Sequence, residues 1–211
     1  MNKSIKINEI AATNVETYSG ISYRNIYTII NSENLFDDLI QNKPEKNEIL
    51  QKVENNSSGI SHQTIQKNRV FEYGDIESSV GNIFNKPYGE GRFGDGINYG
   101  IWYGALDEMT SISEALYHQL QMSRNDFKYN SDVDKISVER KMFQVQLDAN
   151  KIINFTKLKY LHSNLTSDDY TFSHQIGKFL FNDKFDMFLT PSARCEEGIC
   201  SPVFKSNVIK S

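Results

Sequence analysis

The segment Gly89-Glu90-Gly91-Arg92-Phe93-Gly94 spells G-x-G-x-x-G, but its surroundings rule out a doubly wound dinucleotide fold. A fingerprint of that kind leaves a strand and opens a helix inside a βαβ unit. Here the glycines run into a turn, Asp95-Gly96-Ile97-Asn98-Tyr99, and then into an aromatic run that reads as a strand. A kinase glycine loop would need a following V-A-I-K lysine and later H-R-D and D-F-G segments, and the chain has none. What remains is Arg92, a cation on a loop built mostly of glycine, where the backbone can approach a ligand closely.

The rest of the chain reads as α+β. Ile21 to Ile30 is β-branched and aromatic, and predicts a strand. Residues 33–54 predict two short helices, with Pro44 in the first turn of the second. Residues 55–68, rich in Asn, Ser and Gln, predict a loop and a boundary. Strands are predicted at 69–73, 99–106, around Phe143, Val145 and Leu147, at 185–190 and at 199–204. Helices are predicted at 111–122, with Ile112, Ala115, Leu116 and Leu120 as the apolar face, and at 170–181. Strand–helix alternation this irregular favours α+β over a parallel sheet. The organisation is an N-terminal strand and helical extension, 1–68, followed by a main domain, 69–211, that carries the motif segments.

Composition narrows the partners. A net charge of −4 and the lack of a basic stripe argue against general nucleic-acid binding. No run is long enough to span a membrane. The N-terminus lacks the apolar core of a signal peptide, so the expected location is cytoplasmic. Cys195 and Cys200 are then expected reduced. The four histidines, His62, His118, His162 and His174, show no metal-ligand spacing, and no metal is expected.

Three residues stand out as a possible constellation. Tyr103 follows Arg92 by eleven residues, and Glu114 follows it by twenty-two. A loop–strand–turn–helix path of that length can fold back and line one cleft with a cation, a phenol and a carboxylate. A guanidinium matches phosphate or pyrophosphate. A carboxylate opposite it stabilises an oxocarbenium-like centre. Plainer readings exist for each. Ser111-Ile112-Ser113-Glu114 is also a capping box, and from spacing alone that reading leads. Arg92 alone reads as a surface turn residue, and one of Trp102 and Tyr103 as plain core. Ser192 reads as a turn serine, and Arg194 as a phosphate ligand or a solvated charge.

Taken together, Gly91-Arg92-Phe93, Tyr103, Ser113-Glu114-Ala115-Leu116-Tyr117-His118 and Pro191-Ser192-Ala193-Arg194 resemble the RES domain family, named for a recurring Arg, Glu and Ser. The resemblance covers roughly residues 69 to 206. It departs from the family pattern at Phe93, often Trp, and at Gly94, often Asn. It implies an ADP-ribosyltransferase-like fold of two packed, mostly antiparallel sheets with flanking helices. It implies a toxin that consumes NAD as substrate, by hydrolysis or phosphorolysis of the nicotinamide–ribose bond. An Xre-type antitoxin is the implied partner, and residues 1–68 are read as a partner-binding or oligomerisation element. Arg92, Glu114 and Ser192 take the catalytic positions. Arg92, Tyr103, Arg69 and Arg194 are the implied NAD contacts. Two alternatives stay open: a transferase that moves ADP-ribose to a protein or small molecule, and a non-catalytic interaction module.

Overall fold

The computed structural model describes residue 10 and residues 13–27, 80–127 and 140–210. The helices expected in 33–54, the loop 55–68, the strand 69–73 and Arg69 lie outside these residues. The chain divides into two compact units, Met1–Tyr27 with Glu77–Ser211, and Thr28–Ile76. All that follows concerns the first.

Its frame is a pair of long antiparallel strands, β1 (Val15–Tyr27) and β5 (Arg140–Asn154). They pair from Val15↔Ile153 to Tyr27↔Arg140, with one irregularity between Glu16 and Tyr18. Phe143, Val145, Leu147 and Ala149 are buried while the residues between them face outward. This period of two is what makes the segment a strand with one core face. β1 belongs to the same sheet, although it falls within the 1–68 extension of the sequence reading.

The other strands are β2 (Glu90–Gly91), β3 (Gly94–Asp95), β4 (Trp102–Ala105), β6 (Met187–Pro191), β7 (Ile199–Val203) and β8 (Ile209–Lys210). The main sheet runs β1-β4-β7-β6-β5-β8, and β1 also pairs with β5. Five strands therefore close into a ring, with β8 paired to β5 at Gln146 and Leu147. The β5–β6 pair is parallel and the others are antiparallel. The two packed sheets of the sequence reading are thus corrected to one closed sheet plus a small β2–β3 ribbon. Closure removes sheet edges, which otherwise invite unwanted pairing.

Three α-helices accompany the sheet among the described residues: α1 (Glu108–Phe127), α2 (His162–Leu165) and α3 (Thr171–Asn182). None is long and apolar enough to cross a membrane. α3 buries Ser173, Ile176, Gly177 and Leu180, the i, i+3, i+4, i+7 stripe of a helix on a core. α1 differs from its sequence reading. Leu116 and Leu120 are exposed, and the buried side carries Ser111 and Glu114. The capping reading is also corrected. The helix starts one turn earlier, with Asp107 as its cap. Asp107 Oδ1 accepts from Thr110 N–H at 2.8 Å and Oδ2 from the Thr110 hydroxyl at 2.6 Å. Glu114 is therefore free of the cap.

Candidate functional site

The G-x-G-x-x-G segment is a tight hairpin. Glu90 pairs with Asp95 and Gly91 with Gly94, so Arg92 and Phe93 form its two-residue tip. The tip is driven inward, which excludes the surface-turn reading of Arg92. Phe93 is 1% exposed and meets Phe188 edge-on at 4.8 Å. Burying such a ring contributes about 2–3 kcal/mol. Three ties hold the hairpin down. Tyr99 O–H donates to Phe93 O at 2.9 Å. His174 Nε2 lies 2.9 Å from Gly91 O, and donates to it in that tautomer. Gly177 of α3 allows the close approach, since a Cβ there would fall 1.9 Å from Phe93 O.

Arg92 is 6% exposed and already heavily engaged. Its Nη1 donates to Leu165 O at 3.3 Å and to Ser167 O. Its Nη2 is 4.0 Å from Asp168 Oδ1, and its guanidinium lies over the Tyr170 ring at 4.8 Å. Asp168 also accepts from Arg194 Nη2. Arg194 in turn stacks on Tyr117 at 3.3 Å. The two arginines flank one exposed carboxylate, and their charges hold Asp168 below the usual carboxylate range, the Arg194 hydrogen bond first.

Glu114 is the fixed acid. It is 7% exposed. Its Oε1 accepts the Ser192 hydroxyl proton at 2.6 Å, the Ala193 N–H at 3.1 Å and the Cys200 thiol at 3.6 Å. Ser192 is itself saturated, because its Oγ also accepts the N–H groups of Arg194 and Cys195, each at 3.0 Å. The turn between β6 and β7 thus exists around one hydroxyl that aims its proton at Glu114. Behind it, Tyr103 on β4 is hydrogen-bonded to Cys200 on β7. Burial, then the neighbouring Cys200 and Glu114, pushes the Tyr103 phenol well above its ordinary range. Burial and Glu114 push the Cys200 thiol up likewise. Both stay protonated as donors. Cys195 and Cys200 are free thiols.

Arg92, Tyr103 and Glu114 line one cavity of about 430 Å³. Ser111, Glu114, His118 and Gln119 of α1 line it as a polar stripe at helical spacing, together with Ala115. This explains why the apolar face expected on α1 fails. The helix faces the cleft, and the side chains it turns that way are mostly polar. Desolvation holds His118 below the usual histidine range; Glu114 opposes the shift and Arg194 and Arg92 add to it. Gly89 and Gly91 form part of the wall, and a Cβ on either would meet nothing within 4 Å. Trp102 is the core member of the Trp102–Tyr103 pair, fully buried.

Ser192 and Arg194 do not reach the cavity wall. Ser192 acts on it through Glu114, and Arg194 is paired with Asp168. Residues the sequence reading passed over do reach it: Arg24 and Asn25 on β1 and Arg140 on β5. Arg24 occupies an alternating polar position in a strand, a pattern that marks nothing by itself. Burial lowers its pKa to about 10.

A closed mixed sheet, a hairpin-borne arginine and a helix-borne acid held by a loop serine define an α+β architecture built around a cleft. The RES domain family model matches residues 70–209, two thirds of the chain, and the chain belongs to that family. Among solved structures, the chain is similar in fold to one described as the crystal structure of the M. tuberculosis MbcT-MbcA toxin–antitoxin complex. The TM-score is 0.51 at 10% identity, over 95% of this chain and 82% of that one. Among curated proteins, no sequence match is found.

Proposed function

We propose that this chain is the NAD-degrading toxin of a toxin–antitoxin pair, and that it cleaves the nicotinamide–ribose bond. One observation carries the reading: a buried carboxylate, Glu114, with one oxygen clamped by Ser192, Ala193 and Cys200, in the wall of a cleft that also holds arginines. A clamped acid is preorganised, so it can face a developing positive charge without reorganising. Family membership and the likeness to a structure described as a toxin–antitoxin complex support the toxin and antitoxin part of the reading, to which the proposal adds a partner of Xre type.

In this mechanism NAD lies in the cleft with its nicotinamide ribose beside Glu114. The bond from ribose C1′ to the pyridinium nitrogen breaks, and its electron pair neutralises the ring. No acid is needed for that departure. Glu114 stabilises the oxocarbenium-like sugar. Water or phosphate then forms the new bond to C1′, and with water a proton leaves to solvent. Tyr103 contacts the ribose or a ring. Ser192 positions Glu114. Arg92 adds positive potential and pins the 165–170 segment to the hairpin.

The test is direct. The purified chain is incubated with NAD, with and without phosphate, and products are identified by mass. Free ADP-ribose marks hydrolysis, a phosphorylated ADP-ribose marks phosphorolysis, and a modified macromolecule marks transfer. Undiminished NAD under all conditions refutes the proposal.

A further inference from the structure

Among the cations lining the cleft, Arg92 is the one motif reasoning selects for phosphate. The structure gives it little freedom to do so. Its Nη1 is used by two carbonyl oxygens, its Nη2 faces Asp168, and its plane rests on Tyr170. Arg24 is the opposite case. Its Nη1 is buried and has no hydrogen-bond partner among the described residues. Its guanidinium sits 5.6 Å from the centre of the Trp102 ring and lines the same cavity. Nearby, Arg140 donates from Nε to Asn25 Oδ1 and from Nη2 to Asn25 O at 3.1 Å, which fixes a second positive charge on that side. A buried guanidinium donor without a partner is costly, and such a group persists where a ligand completes it.

We propose that Arg24, flanked by Arg140, is the phosphate-oxyanion grip of this cleft, and that Arg92 is a clamp on the cleft wall. The ligand is a phosphate group, carried either by the dinucleotide substrate or as free phosphate acting as the attacking nucleophile. The inference depends on the NAD reading only for the identity of that carrier. Arg24 lies outside the segment that matches the family model, 70–209.

The structure supplies its own reporter. Trp102 is the only tryptophan of the chain, and it lies under the Arg24 guanidinium. Inorganic pyrophosphate and ADP are titrated against the full chain while Trp102 fluorescence is read, with wild type, R24Q and R24K. Wild type is expected to bind both with a change in emission. R24Q should weaken both at least tenfold, with R24K in between. R24Q should also melt no lower than wild type, because it removes an unsatisfied charge. Equal pyrophosphate affinity in R24Q and wild type overturns the proposal, and so does a wild type that binds neither anion. If R24Q melts well below wild type while R24K retains full affinity and stability, Arg24 is a structural cation and the proposal also falls.

NAD turnover separates the sources. A raised KM for NAD in R24Q assigns the grip to the dinucleotide. A lost response to added phosphate assigns it to the nucleophile. Arg24-dependent binding of pyrophosphate without NAD cleavage by wild type would leave the grip standing and remove the NAD reading. NAD cleavage that R24Q leaves untouched would do the reverse.

Discussion

Replacing Glu114 by Gln isolates charge from shape. The carboxamide keeps an oxygen where Oε1 accepts from Ser192 at 2.6 Å, Ala193 at 3.1 Å and Cys200 at 3.6 Å, so the clamp survives. What is lost is the negative charge facing the cleft. A unit charge about 4 Å from a developing cation, at an effective dielectric near 20, contributes about 4 kcal/mol. At roughly 1.4 kcal/mol per decade, that is about a thousandfold in rate. The expected result is therefore a drop of about 10³ in kcat for NAD loss, with urea-unfolding stability within about 1 kcal/mol of wild type. The assay is NAD consumption by the purified variant, with the unfolding curve measured on the same preparation. A folded E114Q that consumes NAD within about threefold of wild type would refute an electrostatic role for this acid.

Three further outcomes follow from the geometry. Ser192→Ala removes the proton aimed at Glu114 and the acceptor for two backbone N–H groups; it should cost about 2–3 kcal/mol in urea unfolding and at least about tenfold in NAD loss. Gly177→Ala would place a Cβ 1.9 Å from Phe93 O, so it should cost about 3 kcal/mol and lower the melting temperature, with near-UV circular dichroism reporting the displaced hairpin. Asp186 accepts from Lys205 Nζ at 2.6 Å and from the N–H groups of Asn150 and Lys151, each at 2.9 Å. Burial opposes ionisation there, but these partners outweigh it and hold the carboxyl below its ordinary 3.8. Its contribution is thus present above about pH 4 and lost as pH falls through the lower folded value. Urea unfolding from pH 6 to pH 2 should show a smaller acid loss of stability in D186N than in wild type.

The sequence was most legible where one periodicity served one purpose. The alternation at Phe143, Val145 and Leu147 gave β5 its core face, and Ile176 and Leu180 gave α3 its buried stripe. The spacing of Arg92, Tyr103 and Glu114 also foretold one cleft. Hydropathy misled at α1, because that helix turns polar residues inward over the cavity. The cap was misplaced by one turn because Ser111 and Asp107 are both good capping residues, and the choice depends on where the strand before them ends. Ring closure was not visible, since it depends on pairings between segments far apart in the chain, such as Val15 with Ile153. Arg24 was passed over for a related reason: what sets it apart is a buried Nη1 with no hydrogen-bond partner among the described residues, and a sequence does not show partners.

The location of the cleft follows from a defect in the ring. β1 and β4 pair through a single register position, Tyr23↔Ala105, and the ladder goes no further among the described residues. Continued antiparallel pairing would set Arg24 opposite Gly104 and Asn25 opposite Tyr103. Those four residues, together with Ala105, are cavity lining. The opening therefore begins where the two strands part. The Trp102 indole folds across Gly104, where a Cβ would fall 2.3 Å from its ring and 2.4 Å from Ser22 Oγ. Glycine at 104 thus makes room for the buried Trp102 ring. A strand pair that separates also leaves backbone N–H and C=O groups without each other, and such groups need other polar partners. Arg24, Tyr103 and Glu114 are among the polar side chains that line the cavity at this gap. The cavity thus lies where the β1–β4 ladder stops, at a junction of the otherwise closed sheet.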